Sequence, residues 1–320
     1  MTNFPLTIES NAFLGGWIED LPSKQIISTN LGAEIYLKSH RCSKLLFNWP
    51  SHVLGKQPSR ILFSIDGGPF ISQSLDSDYF QLDLDAACDH LIRIMTQAIT
   101  FVRAESWSLA EIFTLKGIQY DGSLVGAVPD RAELVFIGDS IINGQKTLAG
   151  VVDGSAHRPD KSWDFLISEK LQLNNDRIAY GGSGLTQRAK ICPPTAIDFI
   201  WYAALNLPRP IDHQAKIAAV IVNLGSNDAA ASEQEFTFSL KVLLRELTKR
   251  FHDSKIIFVE PFNGNFAAVF RKVIPNNDRV TLISNHDWHF QRTDAVHLSV
   301  AGHEQAAKVL LPLIEDCLHA

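Results

Sequence analysis

The sequence predicts a three-layer α/β domain built on a parallel sheet, preceded by a β-sandwich or jelly-roll-like domain. Three observations point there. Residues 1 to about 120 carry many short apolar runs set off by turn residues, and beyond about 132 strand-like segments alternate with helix-like ones. The third is length: 320 residues are more than one average domain uses.

The apolar runs of the first part are 24–28, 33–37, 44–49, 60–65, 79–84 and 111–120. Many short strands at this spacing are the signature of a sandwich or jelly roll. After 60–65 comes Asp66-Gly67-Gly68, where tolerance of positive φ favours a tight hairpin turn. The stretch 85–93 reads as containing a short helical turn. Residues 121–131, rich in Gly, Pro and Asp, read as a linker. The expected division is therefore a sandwich over 1–120, able to bind carbohydrate or shape a pocket, a linker over 121–131, and an α/β domain over 132–320.

In the second part, strands are expected at 134–138, 177–180, 218–224, 255–260 and 280–284, and a helix at 163–173. Ser232 and Glu235 have capping-box spacing: the serine accepts from the amide three residues on, and the glutamate reaches back. Leu240, Leu243, Leu244, Leu247 and Phe251 then mark one face of the helix that follows. A last helix starts near Ser299 with Ala306, Leu310, Leu313, Ile314 and Cys317 on one side, and Pro312 is expected to bend it or end it early. Five apolar strands separated by helices imply a parallel sheet covered on both faces. Ligands of such sheets bind beyond the carboxyl ends of the strands.

Composition narrows the function. With 46% apolar and 20% charged residues, a sizeable core can be buried. The net charge of −6, without a dense Lys/Arg run, argues against a nucleic-acid partner. No apolar stretch approaches the ~20 residues of a bilayer span, so no membrane partner is expected. The start, MTNFPLTIES, lacks a basic segment followed by an apolar one. A cytoplasmic location is the expectation, with secretion left open for a trimmed chain. Cys42, Cys88, Cys192 and Cys317 show no CxxC spacing and read as free buried thiols. Neither a metal nor another cofactor is expected.

Four loops at or beyond strand ends collect small and polar residues. Gly138-Asp139-Ser140 follows the first strand; a serine on a strand-to-helix turn there exposes its hydroxyl and aims its own N–H at a developing oxyanion. Gly181-Gly182-Ser183-Gly184 follows the second, permits close backbone approach, and makes the Gly184 N–H a second donor. Gly225-Ser226-Asn227-Asp228 follows the third, and the Asn227 amide can complete an oxyanion hole. Asp294-Ala295-Val296-His297 lies beyond the fifth. There a carboxylate can orient a histidine base and stabilise its imidazolium. Each loop alone also reads as an ordinary turn; together they supply a nucleophile, a base, its orienter and three oxyanion donors.

The blocks GDS at 138–140, the glycine at 184 in GGSGLT, GSND at 225–228 and DAVH at 294–297 resemble, in order, those of SGNH (GDSL-type) hydrolases. The resemblance covers residues 130 to 320. It implies Ser140 as nucleophile and His297 as general base and acid, oriented by Asp294. It implies an oxyanion hole made by the Ser140 and Gly184 amides and the Asn227 side chain. The order of GAEIYLKS and ILFSIDGG before ELVFIGDSI is similar to carbohydrate esterase family 2, whose enzymes place a β-sandwich before an SGNH domain and remove acetyl groups from sugars.

The expected function is hydrolysis of short-chain acyl esters, acetyl foremost, on a small-molecule or oligosaccharide substrate. Trp163, Trp201 and Trp288 are candidates for stacking on a sugar ring. An acyltransferase, a lipase or a thioesterase could use the same residues, and a non-catalytic glycan-binding protein is a further alternative. Ser183 competes with Ser140 as nucleophile, but Leu185 breaks the Gly-x-Ser-x-Gly pattern. His286, Asp287, His289, His297 and His303 crowd together, so a zinc site is the other rival. The segment 186–216, with Pro193, Pro194, Pro208 and Pro210, has no assigned role; the oligomeric state is not legible.

Overall fold

A computed structural model describes residues 1–20, 23–50, 57–101, 105–210, 216–285 and 287–319. The chain divides into two compact units, Met1–Asp130 with Val151–His157, and Arg131–Gly150 with Arg158–Ala320.

In the first unit, antiparallel strands surround a common core. One sheet has the order Thr2–Asn3, Gly117–Tyr120, Lys44–Asn48, Tyr79–Asp83; another has Ser123–Gly126, Glu34–His40, His90–Ala98, Arg60–Ile65, Ile71–Ser74. Leu45, Phe47, Phe80 and Leu82 of the one share a buried cluster with Ile35, Leu37, Ile92 and Ile94 of the other. The two sheets therefore bury their alternate, inward side chains against each other. Phe113–Leu115, Gln25–Ser28 and Trp17–Asp20 form a smaller sheet. The hairpin at Asp66-Gly67 forms as its residues demand: φ is 54° and 73°, and the Gly68 N–H donates to Ile65 O at 2.9 Å.

Three readings of this part change. A turn does form at Asp85, where the Cys88 N–H donates to Asp85 O at 3.1 Å. It leads, however, into the nine-residue strand His90–Ala98, which pairs with a neighbour on each side. The run 111–120 is two strands in two sheets, Phe113–Leu115 and Gly117–Tyr120. The expected linker contains the strand Ser123–Gly126, paired with Glu34–His40. The cysteines are free, but Cys42 alone is buried and Cys88 is exposed.

In the second unit, five parallel strands are present among the described residues: Glu133–Gly138, Asn174–Ala179, Ile217–Asn223, Lys255–Val259 and Val280–Ile283. Numbered along the chain, their spatial order is 2-1-3-4-5. Leu134 and Phe136, Ala219 and Ile221, and Ile257 and Val259 alternate onto one face, where they pack with Trp163, Ile167, Leu310 and Ile314. The last four belong to the helices Trp163–Leu171 and Val300–His319. The helix Glu233–Arg250 packs with Ala196–Trp201 and with Ala267–Val273.

The Ser232 cap forms in both directions: Glu235 N–H donates to Ser232 Oγ at 3.2 Å, and Ser232 N–H to Glu235 Oε2 at 2.9 Å. Pro312 does not end the last helix, which runs through to His319. Pro312 and Lys308, the residue whose carbonyl loses its partner, are both exposed, the side of a helix on which a proline costs least. Among the described residues, no helix is long and apolar enough to cross a membrane.

Leu243 is buried beneath the Glu233–Arg250 helix, whereas Leu244 is half-exposed. Leu243→Ala should cost about 2–5 kcal/mol of unfolding free energy in urea denaturation, and Leu244→Ala distinctly less. Equal losses would contradict the assigned helix face.

Candidate active site

The first strand ends at Gly138, where the chain turns so sharply that a Cβ would stand 2.2 Å from Ile142 Cγ1. Ser140 follows in a run of turns rather than at the start of an α-helix; the first α-helix begins at Trp163. The Gln145 N–H donates to Ser140 O at 2.9 Å and the Asn143 N–H to Asp139 O at 3.2 Å, which fixes the turn. The strand order reverses direction between the first and third strands, the switch point where such sheets bind ligands.

Ser140 and His297 meet there. His297 Nε2 lies 3.1 Å from Ser140 Oγ, and Nδ1 lies 2.8 Å from Asp294 Oδ2. The carboxylate fixes the proton on Nδ1, which leaves Nε2 as acceptor for the serine hydroxyl. Asp294 Oδ1 also takes the Val296 and His297 N–H groups, each at 2.8 Å. The three-residue spacing thus folds the loop onto its own carboxylate. Ser140 is 4% and His297 9% exposed, while the Asp294 side chain is 42% exposed.

The environment sorts their charges. Burial pushes the Asp294 carboxyl up, but the His297 and Val296 amides and the His297 ring outweigh it and bring it down to about 2. Burial depresses His297, Asp294 opposes this, and the charges of Lys146 and Lys190 depress it further. At neutral pH the pair is a carboxylate beside a neutral imidazole, the state a general base requires.

Around the serine, two backbone donors stand ready. Among the described residues, neither the Ser140 N–H nor the Gly184 N–H has a hydrogen-bond acceptor. The Asn227 amide differs from expectation: Nδ2 donates to Asp139 Oδ2 at 2.9 Å and to Ser183 O at 3.0 Å, so both hydrogens are engaged. Gly184 is required for space, since a Cβ there would lie 2.2 Å from Asp228 Oδ2.

Two residues of the motifs had no role in the sequence reading. Asp139 is 1% exposed, and burial, reinforced by the nearby Asp228, pushes it up to about 7 against the opposing Ile141 N–H. Asp228 is fully buried and accepts from the Leu185 and Thr186 amides at 3.0 and 2.8 Å. A polar residue beside each proposed functional residue, in a strand-end loop that must be buried, was the available signal.

The remaining candidates separate. Trp163 is fully buried, edge-on to Phe136 and Phe262 at 5.5 and 5.9 Å, so the structure removes it from any sugar-stacking role. Trp201 lies under the Arg250 guanidinium at 5.4 Å, and Trp288 packs half-buried beside Phe290 at 5.9 Å. Ser183 is fully buried and its hydroxyl lacks a hydrogen-bond partner among the described residues, whereas His297 faces Ser140. His286 lies outside the described residues. His303 is buried in the last helix, where Nδ1 accepts the Trp163 N–H at 3.2 Å. Among the described residues, no three His, Cys, Asp or Glu side chains converge to hold a metal ion. The 186–210 segment folds into the helix Ala196–Trp201 and a small hairpin, and residues 211–215 lie outside the description.

No protein-family model and no curated protein matches the chain. Solved structures do. A family two carbohydrate esterase from Clostridium thermocellum, in complex with cellohexaose, superposes with a TM-score of 0.79 at 18% identity, over 96% of this chain and 98% of that one. One from Cellvibrio japonicus gives 0.78 at 18% identity, over 96% and 95%. An acetyl xylan esterase from the rumen bacterium Butyrivibrio proteoclasticus gives 0.73 at 15% identity, over the whole of both chains. At these identities the likeness is one of fold: over nearly its whole length the chain is folded as family 2 carbohydrate esterases are, a β-rich unit with an α/β unit.

Proposed function

We propose that the protein is a serine ester hydrolase that removes short acyl groups, acetyl foremost, from a carbohydrate. The observation that carries the reading is the continuous hydrogen-bond relay from Asp294 through His297 to Ser140. A neutral, buried imidazole held by a carboxylate on one nitrogen and facing a serine hydroxyl with the other is an arrangement for nucleophilic acyl transfer.

His297 Nε2 takes the Ser140 proton as Oγ bonds to the ester carbonyl carbon. Negative charge develops on the carbonyl oxygen and is met by the Ser140 and Gly184 N–H groups. An oxyanion is a stronger acceptor than a peptide carbonyl, so the Asn227 hydrogen that faces Ser183 O in the free protein can turn to it. Collapse of the tetrahedral intermediate breaks the bond to the sugar oxygen, which leaves with the proton from His297. Water then attacks the acyl-serine with His297 as base, freeing the carboxylic acid and restoring Ser140. The carbohydrate as leaving group rests on the shared fold, whose other members include an acetyl xylan esterase and an esterase bound to cellohexaose.

Hydrolysis of p-nitrophenyl acetate should therefore be measurable, and Ser140→Ala should lower kcat/KM by at least about 10⁴-fold. Activity surviving in the folded variant would refute Ser140 as nucleophile. Release of acetate from an acetylated xylo- or cello-oligosaccharide tests the substrate class, and its absence would return the acyl acceptor and leaving group to question.

The pH dependence follows from the neutral base. Because His297 is depressed, kcat/KM on an uncharged ester should rise through a limb centred below about pH 6.5. Asp294→Asn removes the carboxylate that holds the imidazole up, so the limb should move to lower pH. The Asp139 ionisation stays where it is, which identifies the limb. A limb that does not move in Asp294→Asn would contradict the assignment.

A further inference from the structure

We propose that Asp228 is a positioning residue for this hydrolysis: its buried carboxylate clamps the loop that presents the Gly184 N–H, and so sets one oxyanion donor from the residue next to Asn227, which supplies another. The inference rests on the esterase reading above.

Three donors converge on Asp228, all from the two residues after Gly184. Oδ2 accepts the Leu185 N–H at 3.0 Å, while Oδ1 accepts the Thr186 N–H and the Thr186 hydroxyl, both at 2.8 Å. The carboxylate is fully buried, and among the described residues it is satisfied by these groups rather than by a cation. Hydrogen bonds from neutral donors to a buried carboxylate are strong and directional, and they leave the 184–186 segment little freedom. The carboxylate also fills the space beneath Gly184, where a Cβ would meet Oδ2 at 2.2 Å and Cγ at 2.6 Å. Clamp and glycine are two halves of one close approach.

The clamp is tied to the other donors. Asn227 Nδ2 bridges Asp139, beside the nucleophile, and the Ser183 carbonyl, which shares a peptide group with the Gly184 N–H. The Asn227 carbonyl in turn accepts the Lys190 N–H at 3.1 Å, further along the same loop. In the free protein Asn227 and Asp228 therefore hold the second loop at Ser183, at 185–186 and at 190, and the holds at 185–186 and at 190 remain when the Asn227 amide turns to the oxyanion. Because the hole acts only on the charge that develops in the transition state, an error in placing Gly184 should appear in kcat rather than in substrate binding.

Asp228→Asn offers one acceptor oxygen and sets an NH₂ group against a loop donor. On p-nitrophenyl acetate, kcat should fall about tenfold to a hundredfold. KM should stay within about threefold and the acid limb should stay in place, because His297 and Asp294 are untouched. Hydrogen exchange at the Leu185 and Thr186 amides should quicken. Should Asp228→Asn fail to fold, Thr186→Ala and Thr186→Ser carry the test: the first deletes one arm of the clamp and should lose kcat severalfold, the second keeps it and should retain the parent rate. A kcat within twofold of the parent in folded Asp228→Asn, or equal rates in the two Thr186 variants, overturns the proposal. A parent that turns over no ester is failure of the esterase reading and is seen before any variant is compared. The exchange measurement still decides the clamp, which unchanged protection would overturn.

Discussion

Pairing of the Glu133–Gly138 strand with a parallel neighbour on each side is the constraint on which the second unit depends. Parallel strands end at the same edge. With Gly138 opposite Ala179 on one side and Asn223 on the other, the three loops that follow bring Ser140, Gly184 and Asn227 to that edge. A slip of one residue in either pairing would send every side chain of a strand to the opposite face of the sheet, where the residues buried on each side would meet the wrong neighbours, so packing on both faces holds the register that the site needs. Side chains then stitch the loops together. Asn227 joins the third loop to Asp139 in the first, and Asp228 joins it to Leu185 and Thr186 in the second.

Three carboxyls near this edge are given different characters by their surroundings. Asp294 is partly in water and surrounded by donors, and it stays ionised. Asp139 is sealed in beside another carboxylate, and its ionisation moves to near neutrality. Asp228 is equally buried but receives three donors from one loop. Environment rather than residue type separates a carboxylate bonded to the His297 ring from carboxyls that hold backbone.

Much of the fold was legible because the parallel sheet is buried on both faces and reads as continuous apolar runs such as LVFIG and AAVIVNL. The capping box at Ser232 and the Asp66-Gly67 hairpin were legible because each depends on local chemistry alone. The strand His90–Ala98 was not, since Thr96 and Gln97 interrupt its apolar pattern; both are buried and hydrogen-bonded, Gln97 to Ser72 and to the His157 carbonyl. Tertiary contacts made those polar residues strand-like. The helix running on past Pro312 was not legible, because the cost of a missing N–H depends on whether the orphaned carbonyl reaches water. At the site, Ser140, Asp294 and His297 were legible as motif residues. The clamp by Asp228 was not, because its partners lie 42 and 43 residues away in the chain. Trp163 shows the opposite failure: an aromatic attractive for sugar binding serves the core.

The central claim is that the relay through His297 makes Ser140 the reactive nucleophile. The most direct measurement is mass spectrometry of the protein after reaction with a fluorophosphonate, followed by peptide mapping. The account predicts a single adduct, on the peptide bearing Ser140, with labelling lost in His297→Ala. An adduct on Ser183, or labelling of Ser140 that persists at the parent rate without His297, would contradict it.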